Sequence, residues 1–292
     1  MSDENKPVHA AEATPGSSEL GVSAHGGWAN DPVERKARRK LRELFEEECE
    51  RIFFPRQLAT IFEDEFFHWV TARAIRNLAA EGLIQSETAS LPASGNQIQL
   101  LRHRRFRYYR RAAAEVLRLV DEYAHPNIGA AIGVNGEGLV LGAFADEQFV
   151  LKAREARAFL DRTWTRTQHD FDFVFERDGL ACAIEVKNTL AYPDPGEVAV
   201  KIRIAQYLGL VPVFVARMMP KTMIHSLNKV GGFALILKYQ LYPYSHKDLA
   251  RRVADTFKMP VDAPRRISET TIGRFTRWHE KRVNSEVKSQ RA

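Results

Sequence analysis

Large apolar residues recur at helical spacing through the first part of the chain and at every second position through its middle. Between Pro32 and Arg51, Leu41, Leu44 and Phe45 form an apolar stripe among many charges, which predicts an amphipathic helix. FFPRQLATIFEDEF predicts a short helix beginning near Pro55. FHWVTARAIRNLAAEG predicts a third, ending at Gly82, with Trp69, Ala72, Ile75 and Leu78 at near-helical spacing. Leu83-Ile84, a loop with Pro92 and Gly95, and the alternating IQLLRH then read as a two-stranded hairpin, and RAAAEVLRLVDEY as a further helix. VNGEGLVLGAF reads as an additional strand, and FADEQFVLKAREARAFL as an amphipathic helix. GEVAVKIRIAQYLG is a helix, LVPVFVAR a buried strand, PKTMIHSLNKVGG a helix stopped by two glycines, and FALILKYQLYP a strand. From about Ser245 onward helical pieces are expected, with the very polar WHEKRVNSEVKSQRA frayed.

The sharpest pattern lies between these helices, in HDFDFVFERDGLACAIEVKN. Phe171, Phe173 and Phe175 alternate with their neighbours, and Cys182, Ile184 and Val186 repeat the alternation after Asp178-Gly179. An Asp-Gly pair supplies the positive φ of a two-residue hairpin turn and so sets the register. That register puts Asp172 opposite Glu185 and Asp170 opposite Lys187. Directly opposed residues share a sheet face with Cβ atoms about 4.5–5.5 Å apart, and like charges so placed repel. A divalent cation relieves the conflict, because Mg²⁺ takes one or two carboxylates and completes its shell with water and substrate phosphate. The tripeptide itself is not specific: Glu-x-Lys occurs at Glu4, Glu34, Glu185 and Glu286. The Glu185 copy differs in lying within an apolar strand facing an acid. The competing reading is an edge hairpin whose charged row is solvated, with Asp170 and Lys187 an exposed ion pair.

Charge and composition narrow the class. The chain has 292 residues, 45% of them hydrophobic, enough for two domains. No run of about 18 apolar residues and no signal-like N-terminus is present, so a soluble, cytoplasmic protein with no membrane partner is expected. Two cysteines, Cys49 and Cys182, are too few for a disulfide framework and are expected to be reduced and buried. A net charge of +6 is compatible with a polyanionic partner. The basic residues concentrate in RHRRFRYYRR, where Arg102, Arg104, Arg105 and Arg107 alternate with aromatic rings, a mixture suited to phosphate contact and base stacking and equally to the solvated face of a helix. His169 is a candidate substrate contact, whereas His68, His103, His225 and His279 read as surface or capping residues.

Two resemblances follow from these residues. Helix, helix, helix, hairpin from Val33 to His103 resembles winged helix-turn-helix domains, which implies a third helix entering a DNA groove with Arg73 and Arg76 in reach, or a protein-binding or dimerising module. HDFDFVF…AIEVKN, followed by a helix and a strand, resembles the PD-(D/E)xK, or restriction-endonuclease-like, nuclease superfamily. That resemblance covers about residues 143–244. It implies an α/β fold with a mixed sheet flanked by helices, and Mg²⁺- or Mn²⁺-dependent phosphodiester hydrolysis. Asp172 and Glu185 would be metal ligands, joined by the Val186 carbonyl, and Lys187 would position water or offset phosphate charge. Glu147, with Glu155 in reserve, would be the glutamate contributed by the preceding helix. Asp170 is an accessory candidate, as an alternative to Asp172 or at a second metal, and so is Gln206 on the next helix. No proline precedes Asp172, unlike the family's pattern.

The resulting expectation is a tail over residues 1–31, a winged-helix-like domain over 32–103 and a helical linker over 104–142. A nuclease domain over 143–245 and a helical extension over 246–292 complete it. The expected function is a DNA endonuclease acting in restriction, phage defence or repair. A non-cleaving DNA-binding protein and an RNA-processing nuclease stand as alternatives, and a homodimer or partner protein is compatible with either.

Overall fold

The computed structural model describes residues 31–291, with side chains to Ser285. The expected tail, apart from Asp31, lies outside these residues. The elements run α1 (Pro32–Glu47), β1 (Ile52–Phe53), α2 (Pro55–Ile61), α3 (His68–Ala80), β2 (Ile84–Ser90), β3 (Gln97–His103), α4 (Arg110–Tyr123), α5 (Pro126–Asp146), β4 (Val150–Ala156), β5 (Ala158–Phe159) and β6 (Arg162–Thr163). After them come β7 (Phe171–Arg177), β8 (Leu180–Lys187), α6 (Pro195–Leu208), β9 (Val211–Ala216), α7 (Lys221–Lys229), β10 (Phe233–Ile236), β11 (Gln240–Leu241), a 3₁₀ turn, α8 (Lys247–Phe257), β12 (Val261–Asp262) and α9 (Glu269–Arg291). The chain is mixed α/β and divides into two compact units. The first comprises the described residues up to Ala130 with Arg251–Pro260, the second Ala131–Ala250 with the chain from Val261 onward.

In the first unit, α1, α2 and α3 bury Leu41, Phe45, Leu58, Val70, Ala74 and Leu78 with Phe53 and Leu101 of a three-stranded antiparallel sheet ordered β1-β3-β2. The three helices and the hairpin lie where expected, but α3 buries Val70, Ala74, Ile75 and Leu78, while Trp69 of the expected stripe is half exposed. Asp31 is part of this fold rather than of a tail: its Oδ1 caps α1 by accepting from Val33 N at 2.9 Å, and its other oxygen takes a hydrogen bond from Arg73.

The second unit is a five-stranded sheet ordered β10-β9-β8-β7-β4, with β8, β9 and β10 parallel and β4, β7 and β8 antiparallel. On one face Phe173, Phe175, Cys182, Ile184, Val213 and Val215 pack on Val140 and Phe144 of α5 and Phe275 of α9. On the other, Val174 and Ala183 pack on Ile204, Ala205 and Leu208 of α6. The sheet is therefore covered on both sides, as its nearly continuous apolar strands require.

Elsewhere, too, the structure departs from expectation. VNGEGLVLGAF is the body of α5 and not a strand. FADEQFVLKAREARAFL is helical only to Asp146, after which Val150–Ala156 is an edge strand: its helix-forming residues are overridden by the ladder with β7 and are accommodated by a bulge between Leu151 and Ala153. WHEKRVNSEVKSQRA continues α9, which contributes Phe275 to the core and stacks it against Trp278 and His279. His103 and His279 are buried, not superficial, and Cys49 is only half-buried while Cys182 is fully so.

Asn188, just past β8, is the joint of the second unit. Its amide donates to the Ile132 and Leu241 carbonyls at 2.8 and 2.7 Å, and its Oδ1 accepts from Leu241 N at 2.7 Å. Gly136 makes room for it, since a Cβ there would lie 2.7 Å from Asn188 Cβ. Gly136→Ala should therefore lower stability by about 1–3 kcal/mol through overpacking. Gly138→Ala and Gly142→Ala, on open positions of the same helix, should hold or raise it by up to about 1 kcal/mol. Urea unfolding of the three variants checks the contrast, and equal effects at all three positions would contradict it.

Candidate active site

The site is built by the hairpin. Asp178 and Gly179 take φ of +55° and +77°, and the ladder pairs Phe173 with Ile184, Phe175 with Cys182 and Arg177 with Leu180. Continued by one residue, this register sets Asp172 against Glu185, as the two-residue turn requires. Asp172 Oδ2 accepts from Val186 N at 2.6 Å, tying the carboxylate to the opposing strand. β7 and β8 occupy the sheet interior, so these charges do not decorate an edge.

Helix α6 covers them. Glu185 is 3% exposed, with Oε2 2.5 Å from Lys201 Nζ and Oε1 3.1 Å from Lys187 Nζ. Lys201, itself 4% exposed, also donates to the Asp170 carbonyl and lies 5.3 Å from the centre of the Phe171 ring. Lys187 reaches Glu197 of α6 at 2.7 Å. The local sequence explains the helix: Asp194 caps α6 by accepting from Glu197 N at 2.8 Å, with Pro195 in its first turn, and Glu197 and Lys201 follow one turn apart on the face toward the sheet.

Electrostatics follow from this crowding. Burial, then the charge of Glu185, pushes Asp172 up to about 7, opposed by the Val186 hydrogen bond and Lys201. Burial also raises Glu137 of α5, helped by Glu185 and Glu155 and opposed by Arg154. Burial pulls Lys187 down, but Glu185 and Glu197 outweigh it and hold the ammonium well above its ordinary range. Lys187 is thus a fixed cation.

Of the residues expected from sequence, Asp172, Glu185 and Lys187 come together, with the Val186 main chain beside them. Asp170 lies one residue before β7 and contributes its carbonyl to Lys201, while Lys187 is paired with Glu185 and Glu197. Glu147 is not at this site: its carboxylate accepts from Thr276 Oγ1 at 3.0 Å and its carbonyl from Arg177, near the turn end of the hairpin. Glu155 falls between the Arg154–Phe173 and Ala156–Phe171 pairs, in register with Asp172. Gln206 is exposed, more than a turn beyond Lys201. His169 is half-buried, its Nδ1 3.1 Å from Thr167 Oγ1. Glu137, Glu197 and Lys201 were missed because helices outside the hairpin, α5 before it and α6 after it, deliver them; only the Glu197–Lys201 spacing beneath an Asp-Pro cap signals two of them locally.

In the first unit, Arg73 is held by Asp31 and lies over the Trp69 ring, 5.3 Å from its centre, and Arg76 is exposed. Arg102 donates to the Phe106 carbonyl and stacks 3.9 Å from the centre of Tyr109. Arg104, Arg105 and Arg107 are exposed beside Tyr108, which is 94% exposed. Arg104, Arg105 and Arg107 lie in the loop between β3 and α4, and only Arg110 and Arg111 of the basic run belong to α4.

Among the described residues no group of three or more acidic, histidine or cysteine side chains is arranged to hold a metal ion. Mg²⁺ needs only one or two carboxylates. Asp172, which accepts from Val186 N through Oδ2, and Glu185 fit that demand, and the repulsion from Glu185 that adds to burial in raising Asp172 is what a divalent cation would relieve. Comparison with protein-family models, curated proteins and solved structures returns no match.

The shift of Asp172 makes stability depend on pH with a defined sign. The unfolded chain loses this proton near 3.8 and the folded chain near 7, so the stability carried by the neutral acid is complete below about 4, and is lost as pH rises toward 7. Asp172→Asn keeps the acceptor for Val186 N and removes the charge. Without metal it should match the wild type near pH 4 and exceed it increasingly toward pH 7, by up to about 1.4 kcal/mol per pH unit between those limits, and level off above. Urea unfolding in EDTA at several pH values measures this, and a variant less stable at pH 8 than at pH 4 relative to wild type would contradict the assignment.

Proposed function

We propose that the chain is a metal-dependent nuclease that hydrolyses phosphodiester bonds in DNA. In this reading the second unit is a restriction-endonuclease-like domain and the first a winged-helix domain that engages the nucleic acid. The observation that carries it is the opposition of Asp172 and Glu185 inside the sheet, with Lys187 fixed beside Glu185. Asp172, Glu185 and the Val186 carbonyl would hold Mg²⁺ or Mn²⁺, which supplies a Lewis acid and a more acidic bound water.

The chain's own residues do the rest. Lys201 clamps one oxygen of Glu185 and so fixes its rotamer. Lys187, kept protonated by Glu185 and Glu197, serves to offset charge growing on a phosphate and not as a general base. Exposed Arg104, Arg105 and Arg107 in the first unit suit backbone phosphates, with Tyr108 as a stacking surface. Arg73 and Arg102 serve the fold there, which leaves Arg76 as the exposed arginine of α3. A non-cleaving nucleic-acid-binding protein is the second reading, favoured by the two lysines that already occupy both oxygens of Glu185.

Incubation of the protein with plasmid, linear duplex, single-stranded DNA and RNA, with Mg²⁺, Mn²⁺ or EDTA, separates these readings. Metal-dependent cleavage of DNA is expected, reduced at least about 100-fold in Asp172→Asn and in Lys187→Ala with nucleic-acid binding retained. Full activity in both variants would remove the site. Separately, changing Arg104, Arg105 and Arg107 to Gln should weaken duplex binding and reduce the log–log salt slope by about 0.9 for each phosphate charge that is no longer neutralised. Binding isotherms between about 50 and 200 mM salt measure it, and an unchanged slope would assign the run to structure alone.

A further inference from the structure

Strands β8, β9 and β10 are parallel, so their C-terminal ends lie at one end of the sheet, the end at which β8 delivers Glu185 and Lys187. The segment that follows β10 is fastened to that end. Gln240 Nε2 donates to the Asn188 carbonyl at 3.2 Å, Leu241 N donates to Asn188 Oδ1 at 2.7 Å, and Asn188 is the residue after Lys187. β11 then pairs with β12, and Tyr242 N donates to the Asp262 carbonyl at 2.7 Å. The residues flanking these short strands therefore belong to a segment anchored next to Lys187.

Those residues are aromatic and basic. Tyr239, next to Gln240, is 47% exposed and follows Lys238, which is exposed at φ +71°. Tyr244 is exposed, with the Arg265 guanidinium 4.1 Å and the Lys247 ammonium 5.0 Å from its ring centre. The hydroxyl is drawn below its ordinary acidity range by a hydrogen bond from Arg265 first, then by the Lys247 and Arg265 charges, a sign that an anion is favoured at this point. Arg266 is exposed beside them, and the exposed acids on the same segments are Asp248 and Asp262. Four cations against two acids leave these segments positive.

We propose that this end of the sheet binds an unpaired stretch of the substrate strand next to the scissile phosphate: Tyr239 stacks on a base, and Tyr244, Lys247 and Arg265 grip a flanking phosphate. The inference rests on the nuclease reading of Asp172, Glu185 and Lys187 and adds to it that the strand enters the site single-stranded. An exposed ring beside fixed cations suits such a strand because each unpaired base presents a stacking face, whereas a duplex keeps its bases stacked on one another. It also gives the second unit a nucleic-acid contact of its own, independent of the arginines of the first.

Fluorescence anisotropy with a labelled single-stranded DNA of about 12 nucleotides and a duplex of the same length, in EDTA so that nothing is cleaved, tests it on the full chain. Tyr239→Ala should weaken single-strand binding about 5- to 150-fold, the range for removal of one stacking partner, while Tyr239→Phe stays within about threefold of wild type. Arg265→Ala should flatten the salt dependence of single-strand binding, and duplex binding should change less than about threefold in all three variants. Unchanged single-strand affinity in Tyr239→Ala, or an equal weakening for duplex, would overturn the proposal. Wild-type protein that binds the single strand through Tyr239 yet cleaves nothing with Mg²⁺ would sink the nuclease reading and leave this surface standing. Cleavage with no effect of Tyr239→Ala would do the reverse.

Discussion

Two twisted strands can be joined by only two residues when both take positive φ, and in this chain Asp178 and Gly179 meet that demand at +55° and +77°. Everything at the site depends on this turn. A slip of one residue would carry Asp172 and Val174 to the face of α5 and α9 and turn Phe173 and Phe175 toward α6. The aromatic packing of Phe175 on Phe144, with ring centres 4.9 Å apart, and the pairing of Asp172 with the Val186 amide hold the same register from both faces. Stability and chemistry are thus fixed by one alignment.

That alignment forces an electrostatic conflict which the structure resolves in pieces. Glu185 is neutralised by two lysines, one from its own strand and one from α6. Asp172 receives only a backbone donor and a distant share of Lys201, so it takes up a proton near neutrality instead. Burying a carboxylate beside another is costly, and a core with no chemical use for the pair would be as stable with apolar residues in their place. In the proposed nuclease reading, a divalent cation between the two carboxylates would relieve the conflict.

The turn, the register and the opposed carboxylates were legible in the sequence because hairpin pairing is local: Asp-Gly and the alternation of Phe171 to Val186 contain it. The three helices and hairpin of the first unit were legible for the same reason, each resting on its own periodicity. What sequence did not disclose is set by contacts distant along the chain. Val150–Ala156 has the composition of a helix and becomes a strand because β7 offers it an edge. Residues Val134–Phe144 look like a strand but form a helix, with Gly136 against Asn188. Glu137, Glu197 and Lys201 gain their meaning only once α5 and α6 pack on the sheet, and Glu147, favoured by its place in the chain, lies with Thr276 instead.

If Asp172 and Glu185 together hold one divalent cation, calorimetric titration of the full chain with Mn²⁺, in the absence of nucleic acid, registers it without reference to turnover. A single Mn²⁺ bound per chain is expected for the wild type, abolished or weakened at least about tenfold in Asp172→Asn and retained in Lys187→Ala. Mn²⁺ binding that is absent from the wild type, or that survives unaltered in Asp172→Asn, would contradict it.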